Sequence, residues 1–290
     1  MDTAGPALKP LVYIGNQSAH TCPNLMEPFE YALAQHFASF EWFPDKKEHS
    51  GWDTGDISLA HRQQIRDLAA TAHMRLTVHA RIAANPLLPN GMQMLQEDIQ
   101  LARDIGAVLL NTHFCDDRGV AAFAEAVKPL VRATAEAGLQ LAIENTRSQT
   151  PQDFNELFGT LSADPALPMG HVGMCLDVGH ANLSPTCRND YLRFVDQLDG
   201  RLVPLVHIHL HENWGDADTH LPFFTGPAGR NEAGARGLAR RLVARRLRGS
   251  VVLEQWPQPP GLLNQARDRF GRLLVECAGA APGASRLEGG

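Results

Sequence analysis

Short runs rich in apolar and β-branched residues recur along the chain, each followed by a segment in which apolar positions return every three or four residues. The runs are "LVYIG" (11–15), "SFEWF" (39–43), "RLTVHA" (75–80), "AVLLNTHF" (107–114), "LQLAIEN" (139–145), "HVGMCLDV" (171–178), "LVHIHLH" (205–211) and "SVVLEQW" (250–256). Their length and composition predict strands. The segments between them, among them "NLMEPFEYALAQHF" (24–37), "SLAHRQQIRDLAATAH" (58–73), "GMQMLQEDIQLARDIG" (91–106) and "VAAFAEAVKPLVRATAEAG" (120–138), carry the period of amphipathic helices. Gly106 and Gly138 stand where a helix gives way to the next strand, the C′ position that calls for positive φ.

Eight strand–helix alternations at a spacing of roughly thirty residues, the length of one βα unit, predict an α/β protein built as a single (β/α)8 TIM barrel. A doubly wound open sheet is the alternative. The barrel is expected to occupy residues 1–277, and the small-residue tail "AGAAPGASRLEGG" (278–290) to be disordered. The two longest connections, 44–56 and 212–232, are candidate rims or lids.

Composition narrows the classes. With 44% hydrophobic and 20% charged residues the chain has the make-up of a soluble globular protein. It has no apolar run of about 18 residues, and its first residues, "MDTAGPALKPLVYIG", lack a charged segment followed by an apolar one, so a cytoplasmic location without membrane contact is expected. Cys22, Cys115, Cys175, Cys187 and Cys277 are odd in number and never spaced C-x-x-C, which argues against a disulfide framework and for buried small hydrophobes. A net charge of −6 gives no general attraction to phosphate backbones, so nucleic acid is not an expected partner. The basic segment 230–249 reads as the solvated face of the seventh barrel helix, with Leu238, Leu242 and Leu247 inward and Arg240, Arg241, Arg245, Arg246 and Arg248 outward.

Thirteen histidines are the unusual feature of the composition, and their placement matters more than their number. His79, His113, Glu144, Asp177, His209 and Glu254 each stand at the end of one of six consecutive strands; His180 follows the sixth, and Asp218 and His220 lie in the loop after the seventh. Each alone has an ordinary reading, as a hydrogen-bonded structural histidine or a carboxylate capping the next helix. Together they converge on the C-terminal rim, where active sites of such barrels lie, and buried charges there are costly unless paired or bound to a cation. Imidazole suits zinc and other transition metals; carboxylates also suit manganese and magnesium. Alternation puts His207, His209 and His211 on one face of the seventh strand. His209 is the ligand candidate; His207, one layer deeper, is a structural or orienting residue, and His211 is left open between structure and substrate contact.

These residues carry a resemblance. "LTVHA" (76–80), "LLNTHF" (109–114), "LAIENT" (141–146), "CLDVGHANL" (175–183), "VHIHLHEN" (206–213), "DADTHLPFFTG" (216–226) and "VVLEQW" (251–256) make the chain similar to the xylose-isomerase-like TIM-barrel superfamily, which includes sugar-phosphate isomerases and epimerases and endonuclease IV relatives. The isomerase pattern implies that Glu144, Asp177, His209 and Glu254 hold one divalent metal and that His180 contacts substrate. The endonuclease pattern implies a polynuclear zinc site on His79, His113, Glu144, Asp177, His180, His209, Asp218, His220 and Glu254. Two departures stand out: the family's G-E-G appears as "FTGPAG" (224–229) without its Glu, and Asn16 and Gln17 stand where the endonuclease has a histidine.

Three readings follow. The first is a divalent-metal-dependent sugar or sugar-phosphate isomerase or epimerase, with Mn2+, Co2+ or Mg2+ at a mononuclear site and Glu144 and Glu254 as base and acid. The second is a zinc-dependent phosphodiesterase with clustered Zn2+, and the third a metal-binding barrel without turnover. The acidic charge favours a small polar substrate and the first reading. Trp42, Phe43, Trp214 and Trp256 are candidate walls for a sugar, with a core role as the alternative; Arg147 is a candidate for a phosphate or carboxylate, with a surface salt bridge as the alternative. Barrels of this superfamily often associate, so a homo-oligomer is an open expectation.

Overall fold

The computed structural model describes residues 12–18, 22 and 24–280. Eight parallel strands, β1 (Val12–Gln17), β2 (Ser39–Trp42), β3 (Arg75–His79), β4 (Leu109–His113), β5 (Gln140–Glu144), β6 (Val172–Asp177), β7 (Leu205–Leu210) and β8 (Gly249–Leu253), each pair with the next, and β8 returns to β1. The barrel is therefore closed, and the open-sheet alternative is excluded. Around it lie α1 (Glu27–Ala34), α2 (Leu59–Thr71), α3 (Gly91–Ile105), α4 (Val120–Glu136), α5 (Pro151–Ser162), α6 (Val178–Leu183), α7 (Tyr191–Gln197), α8 (Pro227–Arg230), α9 (Ala233–Ala244) and α10 (Gly261–Gly279). Residues 278 and 279, assigned above to the tail, continue α10; residues 281–290 lie outside the described residues.

Local chemistry sets the helix ends. Ser58 accepts from His61 N at 3.3 Å to start α2, while Thr150 and Asp153 cap α5 reciprocally behind Pro151. Gly106 closes α3 at φ 74°, and Gly138 follows α4 at φ 72°, as expected of C′ glycines. Four of the five cysteines are buried, Cys115 is partly so, and all are free thiols. On α9 the apolar stripe packs inward through Leu238 and Leu242, while Arg241 Nε donates to Asp196 at 2.7 Å on the outer face.

The two faces of β2 divide the molecule. Phe40 and Trp42 point outward and pack on Phe29 of α1 and on Trp52, with ring centroids 5.2 Å (Phe29–Phe40) and 5.7 Å (Trp42–Trp52) apart. Trp42 is thus fully buried between sheet and helices and is not at the barrel mouth, contrary to its candidacy as a substrate contact. Ser39 and Glu41 point the other way. Ser39 Oγ lies 2.8 Å from Ser250 Oγ of β8, and because β1 separates those strands, the bond crosses the barrel interior.

Candidate active site

The row of imidazoles on β7 meets a carboxylate from across the barrel. His207 Nε2 lies 2.8 Å from Glu41 Oε2, His209 Nε2 lies 2.7 Å from Glu41 Oε1, and Thr77 Oγ1 donates to Oε2 at 2.9 Å. Burial acts to raise the Glu41 pKa, but the two imidazoles outweigh it and hold the carboxyl well below the usual range. Sequence reading did not single out Glu41. With Nε2 engaged below, His209 presents Nδ1 to the mouth, 3.3 Å from Glu144 Oε1, 3.5 Å from Glu254 Oε2 and 4.0 Å from Asp177 Oδ2.

Three more histidines repeat the arrangement. His79 Nδ1 lies 2.6 Å from Ala80 O, His180 Nδ1 2.9 Å from Asn145 O, and His220 Nδ1 3.2 Å from Glu254 O. An N–H given to a backbone carbonyl leaves the opposite nitrogen with its lone pair free, the arrangement of a metal-ligating histidine. Those opposite nitrogens face carboxylates: His79 Nε2 is 3.2 Å from Glu144 Oε2, and His180 and His220 Nε2 are 3.0 and 3.3 Å from Asp218.

The donor set fits a cation. His79 Nε2, Glu144 Oε1, His209 Nδ1 and Glu254 Oε2 are buried atoms without a hydrogen-bond partner among the described residues. Each of these residues contributes a ligand-type atom to a group whose members lie within 4.8 Å of one another. Buried polar atoms are normally satisfied, so a cluster of unsatisfied ones is what a cation would complete. Further groups of the same kind are Glu144, Asp177 and His180; Asp177, His211 and Glu254; His180, His211, Asp218 and His220; and Cys175, His207 and His209. The expected quartet Glu144, Asp177, His209 and Glu254 is divided among them, with His79 standing beside His209 where Asp177 was expected. Asp177 is partly spent elsewhere, since its Oδ1 caps α6 by accepting from His180 N at 2.7 Å. His113 lies in none of these groups; its Nε2 is 3.6 Å from Glu144 Oε1.

Electrostatics point the same way. Burial acts to raise Glu144, but His209 and His113 hold it well below the carboxylate range, whereas burial pushes Glu254 upward despite the pull of His209. Against burial, Asp177 and Asp218 raise His180 to about 10, and Asp218 and Glu254 raise His220 to about 9. The carboxylates thus demand positive charge, which a bound cation would supply in place of protons.

Above this cluster opens a cavity of about 710 Å³. Phe43 and Trp256 wall it, as does Arg147, and the amides of Gln17 and Gln255 reach it. Phe43 packs on His79 with ring centroids 4.1 Å apart and the planes tilted by 38°. Both polar atoms of the Gln255 amide and the Gln17 side-chain oxygen are buried without partners; sequence reading noted Gln17 only as a departure and missed Gln255. Trp214 is not a wall of this cavity: it borders a separate depression with Tyr191 and Phe223, beneath the Arg230 guanidinium at 4.4 Å. Gly215, at φ 77°, turns the chain there, and Asn213 Oδ1 accepts its N–H at 3.0 Å.

His211 also departs from a substrate contact. It is 1% exposed, its Nε2 lies 3.0 Å from Asp177 Oδ1, and its ring stacks on His220 at 3.9 Å. Glycine at 179 makes room for it, because a Cβ there would fall 2.0 Å from His211 Cε1. The loop lacking the expected Glu is held instead by Glu212, which accepts from Gly226 N at 3.0 Å and Ala228 N at 2.6 Å.

Residues 29–272 match the family model described as xylose isomerase-like TIM barrel. The chain belongs to that family. Among solved structures, a D-tagatose 3-epimerase-like protein aligns over 91% of this chain and 98% of its own, at 16% identity and TM-score 0.70. An L-ribulose 3-epimerase aligns over 96% and 100%, at 14% identity and TM-score 0.70. At such identities the likeness is one of fold. An uncharacterized protein of Methanocaldococcus jannaschii is 24% identical over 177 residues, 58% of this chain and 64% of that relative. Among the described residues no helix is long and apolar enough to cross a membrane.

Proposed function

We propose that the chain is a divalent-metal-dependent isomerase or epimerase of a sugar or sugar phosphate, acting by proton abstraction beside a carbonyl. One observation carries this reading: Glu144 of β5 and Glu254, just after β8, both lie within 3.5 Å of His209 Nδ1, each with a buried oxygen that lacks a partner, and Glu254 lines a walled cavity. His79, Glu144, His209 and Glu254, with Asp177 adjacent, would hold a divalent cation, which would supply the Lewis acidity for a substrate carbonyl and its neighbouring C–H. The Glu144 carboxylate would accept that proton, and the Glu254 carboxyl, pushed upward by burial, would return one to the opposite face, inverting or relocating the centre. Phe43 and Trp256 pack on the carbon skeleton and exclude water, while Gln17 and Gln255 bond the hydroxyls.

Solvent deuterium uptake by a panel of ketoses, with metal-loaded protein, tests the reading. Uptake that falls in Glu254→Gln supports it. No uptake across the panel removes it and leaves the barrel without turnover, or the second reading below.

A zinc phosphodiesterase is favoured by a separate observation, the meeting of His180, His211, Asp218 and His220 beside the first group. Two or three zinc ions per chain, reduced by Asp218→Asn with His220→Ala, would favour it. A single ion, unchanged in that variant, would exclude it.

A further inference from the structure

Two arginines beside the mouth share a hollow with Asp216 and Asp218 and form an ion pair with neither. Arg147 follows β5, Arg188 follows α6, and both line one depression of about 470 Å³ that shares Arg147 and Asp218 with the reaction cavity. Neither makes an ion pair or a hydrogen bond with a described residue. Lys47, the other cation at the mouth, is taken up by Asp45 at 2.5 Å.

The turns that carry the two arginines are fastened to each other. Gln149, fully buried, accepts from Thr146 N at 2.7 Å and donates to Phe114 O at 3.1 Å, which shapes the 146–149 turn. Ser184 Oγ donates to Gln149 O at 2.8 Å, and Cys187 N to Ser184 O at 3.1 Å, so the 184–188 turn is braced on the first. Asn145 ties the same region to β6 by donating to Asp177 O at 2.9 Å. The spacing of the arginines from the carboxylate cluster is thus set by buried hydrogen bonds at the roots of both turns.

Of the two carboxylates in that hollow, Asp218 is engaged by His180 and His220 at 3.0 and 3.3 Å, so the two guanidinium groups are left to attract an added anion. Their planar forks match the oxygens of a phosphate or carboxylate. Asp216, in the same hollow, has an oxygen engaged by the Ala217 N–H at 2.8 Å and pairs with neither arginine.

We propose that Arg147 and Arg188 form a subsite for an oxyanion at the end of the substrate remote from the reacting carbon. The substrate is then an anionic sugar derivative, a phosphate monoester or a sugar acid, and a neutral sugar is a poor one. This inference rests on the isomerase or epimerase reading for its substrate, but its binding arm does not.

The test compares a ketose, its terminal phosphate ester and the corresponding terminal carboxylate by solvent deuterium uptake, in wild type and in Arg147→Gln, Arg188→Gln and the double variant. The expected result is a kcat/KM higher for one anionic form than for the neutral ketose by about 10- to 100-fold, the range of a charge-assisted hydrogen bond. That ratio collapses in the double variant. Which anion prevails identifies phosphate or carboxylate. A neutral ketose turned over as well as both anions, or a preference that survives both substitutions, overturns the subsite while leaving the isomerase reading intact. If no compound takes up deuterium, that reading fails, and titration of metal-loaded protein with inorganic phosphate decides the subsite alone. Weaker phosphate binding in the double variant, with unchanged thermal unfolding, supports it, and equal binding overturns it.

Discussion

Glu41 and Glu144 are both fully buried and both flanked by histidines, yet they are left in opposite states. Each oxygen of Glu41 receives a donor, from His209 on one side and from His207 and Thr77 on the other. Glu144 receives Asn111 on Oε2, while Oε1 has no hydrogen-bond donor and sits among unpartnered atoms of His79, His209 and Glu254. One imidazole joins the two, with Nε2 of His209 on Glu41 and Nδ1 on Glu144. Burial is therefore the same for both carboxylates, and an unspent oxygen on Glu144 is what distinguishes it from Glu41. A buried polar atom without a partner costs about 1–3 kcal/mol, so several in one place are stable only if something binds them.

Substitutions can break this contrast, beginning with the upper layer. Glu144→Gln removes both a base and a ligand oxygen, and deuterium uptake should fall by about 100- to 10,000-fold, with metal content reduced in elemental analysis. Trp42, next to Glu41 but on the outer face of β2, provides the control: Trp42→Ala should destabilise by about 3–5 kcal/mol in denaturant unfolding and leave KM unchanged in the surviving folded protein. Glu41→Gln, in the closed layer, should weaken metal binding by about 10- to 100-fold in a competition titration, because His209 loses the charge that fixes its tautomer. If Glu41→Gln instead lowered uptake as far as Glu144→Gln at saturating metal, the two layers would not differ in kind. Trp214→Ala should change KM by less than about twofold, since surface substitutions remote from a site act within roughly 0.5 kcal/mol.

Much of the upper layer was legible because barrel closure turns a one-dimensional pattern into a ring. Strand ends recur every βα unit, and ligand-type residues at those ends must converge once β8 pairs with β1. The aromatic assignments were harder, since proximity in sequence to a strand end does not say which face a side chain takes. Period two already separates Trp42 from Glu41 on β2, and applied there it would have sent Trp42 to the helices and Glu41 to the interior. What it could not supply was Glu41's partner, 166 residues away on β7 and across the barrel, a pairing that depends on register and closure together. Trp214 and His211 depended on local geometry, the turn at Gly215 and the space above Gly179, which no spacing rule encodes.

Anomalous diffraction from crystals of the protein grown with manganese tests the central claim most directly. The account predicts a peak in contact with His209 Nδ1, Glu144 Oε1 and Glu254 Oε2, with Glu41 still bonded to His209 Nε2 beneath it. A map with no peak among those atoms, or with the only ion on the surface, would contradict it.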